Sequence, residues 1–381
     1  MHCNNQCTLK AMSKVSNRMP LIDALKAVAA LLVLLNHFSS YGPLAAAARE
    51  TLPGLFGWFF EYGRMAVQVF LVIAGFLAAR GLSSQGQALA VSPLPLIWKR
   101  YLRLVVPYLA AIGLAIIAAA VADQWLDDEV VPARATLSQW LAHAFLLHSL
   151  LGFDALSAGV WYIAIDFQLF ALMAVLLWAG RRDIVAPALV LLTALASLFW
   201  FNRDASWDNW AIYFFGSYGL GAAAWWASDR RQLSAWLGVI VTITIAALVI
   251  DFRLRIGLAL AIALLLGFGR RSGLLEQWPN ARPLAFLGQI SYSLFLVHFP
   301  VLLLANGLYA KLGLESHSSA MIGLVLAWTA SLIAATLFYH WVESPTASQR
   351  ITAAINGLWI GLLQLAQRAG RLARRAVLGR A

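Results

Sequence analysis

The sequence predicts an all-α polytopic membrane protein. It has ten transmembrane helices, both termini in the cytoplasm and one further short interfacial or re-entrant helix. Three observations carry that expectation. The 381 residues are 61% hydrophobic and only 12% charged, where a soluble domain is nearer half apolar and a quarter charged; the mean hydropathy is +0.75. Ten apolar runs are long enough to cross a bilayer, which takes about 20 residues. Finally, the basic residues alternate between loops. With the N-terminus inside, 20 of the 28 Lys and Arg fall on the cytoplasmic side and 7 outside, with Lys26 inside the first span. That bias sets an even number of spans. It also accounts for the net charge of +11 without nucleic acid as a partner.

The polar tail 1–20 holds Cys3 and Cys7, too few for a disulfide framework. Lys10, Lys14 and Arg18 precede an apolar run, and "PLAAAA" at 43–48 looks like a small-residue cleavage site. The run is long enough to span and many spans follow, so an uncleaved first helix is expected. The spans fall at 21–40, 63–81, 101–122, 157–179, 184–201, 208–227, 234–250, 254–270, 286–308 and 320–343. Between the third and fourth, "LSQWLAHAFLLHSLL" (137–151) is apolar but too short to cross, and is expected to lie at the interface or re-enter. The loop "DFRLR" (251–255) is the weakest part of the layout, because it puts Arg253 and Arg255 outside. The membrane domain is 21–345. Residues 346–381 pass from "LWIGLLQL" to "RAGRLARRAVLGR", an amphipathic basic segment suited to anionic lipid. With no large loop, any chemistry must sit in the membrane or at its edge.

An ionisable residue in a span is a functional candidate because exposing it to lipid is costly. On the first helix, Lys26 and His37 lie about 20° apart around an ideal helix and about 16 Å apart along it. Asp23 lies on the same stripe, with Ala30 and Val33 between. Snorkelling at the headgroups explains Asp23 and Lys26 singly better than it explains three aligned groups. Asp166, early in the fourth span, is expected at a depth near that of His37. It can pair with His37, fixing its tautomer and raising its basicity, or with a cation such as Arg64. Ser291 and His298 share a face of the ninth span, as a polar core pair or as the lining of a substrate path. His340 and Glu343 close the last span, where capping or ion pairing is expected. Lys99, Arg100 and Arg103 cluster where the third span begins; with Arg80 and Lys26 on the same side they can hold phosphates.

Five segments together resemble the acyltransferase 3 family of integral membrane O-acyltransferases. The first helix has a basic residue, ten intervening residues and a histidine, as in the family's opening segment. "VQVFLVIAGFL" (67–77) is similar to its second span, with Ala74 where Ser is usual. "KRYLRLVVPY" (99–108), "WYIAIDFQLF" (161–170) and "ISYSLFLVHFPV" (290–301) resemble its later motifs, the second with Asp166 in place of Glu and Phe167 at a place often acidic. The resemblance covers about 21–345.

It implies acyl transfer from cytoplasmic acyl-CoA, commonly acetyl-CoA, to a hydroxyl of an envelope glycan or lipid-linked saccharide. No metal is implied, and the setting is the inner membrane of a bacterium. On that basis Lys26, Arg80, Lys99, Arg100 and Arg103 hold the donor's phosphates. His37 acts as general base or as an acyl carrier, with Asp166 fixing its ring. A proton-coupled secondary transporter is the competing class. It lacks support from an internal repeat or a matched pair of broken helices.

Overall fold

A computed structural model describes residues 18–126, 129–229, 235–314, 316–351, 353 and 354. The tail with Cys3 and Cys7, Arg230 and Arg231, and nearly all of the basic C-terminal segment lie outside these residues. Among the described residues there is no strand.

The helices run in the following order. α1 spans Pro20–Ser40, α2 Gly42–Thr51 and α3 Pro53–Tyr62, which leads through a 3₁₀ turn into α4, Val67–Leu82. α5 is Leu94–Ala122 and α6 Leu137–Ala144. Then come α7, Trp161–Ala179; α8, Val185–Phe199; α9, Ala211–Ala227; α10, Ala235–Ile250; and α11, Leu254–Ser272. A single turn, α12 (Leu274–Gln277), precedes α13, Arg282–Lys311. α14, His317–Phe338, ends in a π-helical turn, Tyr339–Glu343.

A helix occupies each of the ten expected spans, with different limits. Seven helical runs are long and apolar enough to cross a membrane: Pro20–Ser40, Pro53–Leu82, Leu94–Ala122, Trp161–Ala179, Val185–Arg203, Arg282–Lys311 and His317–Glu343. The protein is therefore a multi-pass membrane protein. The other three expected spans are α9, α10 and α11. The 17 residues of α9 rise about 26 Å, at the short end of what crosses a bilayer. α5 begins seven residues before the expected span, so Lys99 and Arg100, expected just before it, sit with Arg103 within the first turns of the helix. Within the expected interfacial segment, α6 is a short helix whose start is fixed by a capping box. Thr136 Oγ1 accepts from Gln139 N–H at 3.2 Å and the Gln139 side chain reaches back to Thr136 N–H. That reciprocal pairing satisfies two end groups that an apolar setting would leave stranded.

The chain divides into two compact units. The first comprises 1–36, 54–97 and 165–291, the second 37–53, 98–164 and 292–381. In the first unit α9 packs most extensively on α4. Any Cβ on Gly75 would collide with the carbonyl of Tyr218, and one on Gly221 with that of Val72. Glycine lets the two backbones touch, the usual way helices associate where lipid supplies no hydrophobic drive. α9 is buried nearly all round, as expected of a helix apolar on every face.

Arg253 and Arg255, the weak point of the predicted topology, prove to be internal ties within this unit. Arg253 donates to Asn202 Oδ1 and Leu198 O, each at 2.9 Å, and its side chain is only 8% exposed. Arg255 donates to Asn202 O at 2.7 Å and lies over the Tyr213 ring. These arginines fasten the 251–255 loop to the end of α8, so they are poor topological markers. Hydrogen bonds from a charged group contribute about 1.5–3 kcal/mol each way they are broken. Arg253→Ala is accordingly expected to lower the melting temperature of the purified protein by several degrees, read by thermal unfolding in detergent; an unchanged value would contradict this role.

In the second unit, Asn306 on α13 holds the start of α2. Its Oδ1 accepts from Leu44 N–H at 3.0 Å, and its Nδ2 donates to Leu302 O and Tyr41 O. Arg49 on α2 donates to Ser39 O at 2.8 Å, a cation placed at the negative C-terminal end of α1. The last turn of α1 is thus clamped from both sides.

Candidate active site

His37 sits in that clamped turn, and its nearest polar partner is His298 of α13. The two rings meet edge to edge: His37 Nδ1 lies 2.7 Å from His298 Nε2, with ring planes 26° apart. Both are buried, at 8% and 0% exposure.

The far nitrogen of His298 settles the proton positions. His298 Nδ1 is 2.8 Å from the carbonyl of Leu294, one turn earlier. A carbonyl only accepts, so Nδ1 carries the hydrogen and, in the neutral ring, Nε2 is the acceptor. His37 must then donate from Nδ1. Its own Nε2 is left as a lone pair. The sequence Leu294 C=O, His298, His37 is a fixed-polarity chain that leaves one basic nitrogen at its end, the role a carboxylate–imidazole pair performs elsewhere.

Aromatic rings enclose the pair. Tyr41 meets His37 edge-on with centroids 5.3 Å apart, and Tyr41 meets Phe299 likewise. Tyr162 of α7 packs against Phe295 of α13. Gly159, in the turn before α7, closes the group. Its φ is +79°, and a Cβ there would lie 3.3 Å from His37 Cε1 and 3.2 Å from Phe295 Cζ. Both the left-handed backbone and the lack of space call for glycine. Gly159→Ala is expected to push against the His37 and Phe295 rings and to lower the melting temperature by several degrees, read by thermal unfolding in detergent; an unchanged value would contradict this fit.

The remaining candidates are placed as follows. α1 is continuous through both Lys26 and His37. Asp23 pairs with Arg18 at 2.7 Å, which suits an acid in the first turn of a helix. Lys26 and Arg80 are half-buried in the first unit, Arg80 in the last turn of α4. In the second unit Lys99 and Arg103 are exposed and Arg100 half-buried. Asp166 is buried on α7, in the first unit.

The sequence proposed Asp166 as the group that fixes the His37 ring, and placed His298 with Ser291 along a substrate path. In the structure the Nδ1 position of His37 is taken by His298. The Ser291 hydroxyl, for its part, donates to Gly288 O at 2.9 Å. The residue two further on does more: Ser293 N–H donates to Glu343 Oε2 at 3.0 Å, and its hydroxyl donates to the same oxygen. Glu343 therefore ties the π turn to α13. Gly159 and Leu294, which complete the surroundings of the pair, are not singled out by the sequence. A lone glycine before a tryptophan and a backbone carbonyl leave no motif to find.

A family model described as an acyltransferase domain matches residues 20–340. No curated protein and no solved structure matches the chain.

Proposed function

This chain belongs to the acyltransferase 3 family, and we propose that it moves an acyl group, acetyl in the simplest case, from cytoplasmic acyl-CoA to a hydroxyl of an envelope glycan or glycolipid, in the inner membrane of a bacterium. The observation that carries this reading is the fixed-polarity pair of His37 and His298. It leaves a single basic nitrogen, oriented by its partner, in an apolar enclosure.

In the proposed step, His37 Nε2 takes the proton of the acceptor hydroxyl as its oxygen attacks the thioester carbonyl. A carbon–oxygen bond forms and the carbon–sulfur bond breaks. The CoA thiolate leaves and recovers the proton from His37. While His37 is charged, its Nδ1–H bond to His298 strengthens, because hydrogen bonds with an ionised partner are about twice as strong as neutral ones. That gain arises only as charge develops, which is what accelerates a reaction. General base catalysis of this kind is typically worth about 10²–10⁴-fold.

For the donor, Lys99, Arg100 and Arg103 on the first turns of α5 are one candidate group for the CoA phosphates, with Lys26 and Arg80 as a second. The charge reversal Arg100→Glu with Arg103→Glu is expected to raise the KM for acetyl-CoA about tenfold or more, since charge-assisted bonds contribute about 1.5–3 kcal/mol, and to leave turnover at saturation little changed. An unaltered KM would return both residues to topology alone. Asp166, buried on α7, is kept as a candidate catalytic residue, and Asp166→Asn tests it through kcat at a fixed donor KM. Mass analysis of envelope glycans from cells with and without the protein tests the reading as a whole. Loss of an acyl ester mass is expected on deletion. An unchanged ester profile would overturn it. No observation favours a transporter.

A further inference from the structure

A second group of buried polar side chains lies in the same unit, and the reaction above does not use it. Its centre is His143 on α6. The proton positions of this ring are also fixed: Nδ1 is 2.8 Å from Gln139 O, so it donates, and Nε2 accepts from Leu156 N–H at 3.1 Å. His148 stacks on it, with ring centroids 4.1 Å apart and planes within 12°. Tyr108 of α5 lies on it in near-parallel fashion, with centroids 6.4 Å apart. Ser157 directly follows Leu156.

Around the satisfied His143 the polar atoms have no protein partner. Both ring nitrogens of His148, the Tyr108 hydroxyl and the Ser157 hydroxyl are buried without a hydrogen bond. These residues are 1%, 0% and 3% exposed. Buried polar atoms are nearly always bonded, so four orphans, three on the rings packed against His143 and one on the residue after Leu156, call for a partner from outside the chain. The turn that presents His148 is itself specialised: Leu146 has φ of 58°, a left-handed backbone that a leucine rarely adopts and that often marks function.

The chemistry of the group selects its ligand. Burial holds His143 below its ordinary value, and burial together with His143 brings His148 down to about 3. Both rings are neutral at physiological pH. A neutral imidazole offers one donor and one acceptor, and each hydroxyl offers both. A phosphate or carboxylate would find no countercharge in this group, and a cation no anion. A hydroxyl, which also donates and accepts, fits every orphan. The segment 156–159 connects this group to the catalytic pair: Leu156 N–H is held by His143, and Gly159 lies against His37.

We propose that Tyr108, His148 and Ser157 form the subsite for the acceptor, binding neutral sugar hydroxyls next to the one that is acylated. This rests on the acyl-transfer reading and adds to it the residues that recognise the acceptor.

The test uses full-length protein in inverted membrane vesicles that retain the native envelope glycans, with radiolabelled acetyl-CoA as donor. Tyr108→Phe and Ser157→Ala each remove a single oxygen, and His148→Gln keeps a donor and an acceptor in altered places. Three quantities are read: label in glycan, free CoA released and the KM for acetyl-CoA. In the Phe and Ala variants, label in glycan is expected to fall about tenfold, with the donor KM within twofold and more CoA released per ester formed. A purely structural group gives a different result. Removing an unpaired buried hydroxyl is then neutral or stabilising, so a raised melting temperature with unchanged glycan labelling would overturn the proposal and leave ordered water as the occupant. Glycan label and CoA release falling together, at a constant ratio, would also overturn it. His37→Ala separates the two readings. If that variant loses glycan label while the three subsite variants keep it, only the subsite fails. If the unaltered protein puts no label into glycan, both fail.

Discussion

His37→Ala and His37→Gln are expected to abolish acyl transfer, by about 10²–10⁴-fold in rate, while the protein remains in the membrane at its usual abundance. Either change removes the lone pair at Nε2. Glutamine retains a donor that can reach the His298 ring, so packing and the buried hydrogen bond are partly preserved and the loss reports on the base. The KM for the donor is expected to stay within twofold, because His37 meets the donor only as bonds change. A fall in kcat and in kcat/KM by the same factor is the mark of an interaction made in the transition state alone. A rise in KM with kcat intact would instead make His37 a binding group.

His298→Ala and His298→Leu carry the second large effect. Without the acceptor at Nε2 of His298, the Nδ1–H of His37 is buried and unpaired, which costs about 1–3 kcal/mol. The His37 ring then gains by moving its hydrogen to Nε2 or by rotating, and either change removes the base. A loss of about 10²-fold in kcat is expected, with the donor KM unchanged. A residue needed only for packing would lower stability and abundance instead, without selecting kcat. The proton positions can be read directly, since the chain has only 7 histidines. Nitrogen-15 spectra of histidine-labelled protein, assigned by loss of signals in the two variants, are expected to show hydrogen on Nδ1 of both rings. Hydrogen on Nε2 of His37 would contradict the relay.

Much of the architecture was legible because its causes are local. Runs of apolar residues, and caps such as Thr136 with Gln139, place helices wherever the pattern occurs. His37 stood out for a similarly local reason, an ionisable side chain within an apolar run, aligned with Lys26. Its partner did not. His298 is 261 residues away, and the sequence offers several buried groups able to pair with an imidazole, Asp166 among them. Spacing along one helix could associate His298 with Ser291, since both share that helix, but could not show that the Ser291 hydroxyl turns to its own backbone. Arg253 and Arg255 show the same limit from the other side. Counted as loop charges they weaken the topology, whereas their guanidinium groups serve the carbonyls at the end of α8. The orphan atoms of Tyr108, His148 and Ser157 become visible only when every neighbour is known, because an unsatisfied group is defined by its surroundings.

The role proposed for His37 is to drive transfer of an acyl group from CoA to a glycan hydroxyl. Its most direct measurement is the initial rate at which radiolabel passes from acetyl-CoA into ester-linked, base-labile glycan in isolated membranes, for the natural chain and for His37→Gln at equal abundance. Label should enter the glycan with the natural chain and stay at background with the variant. Equal labelling in the two would contradict the account.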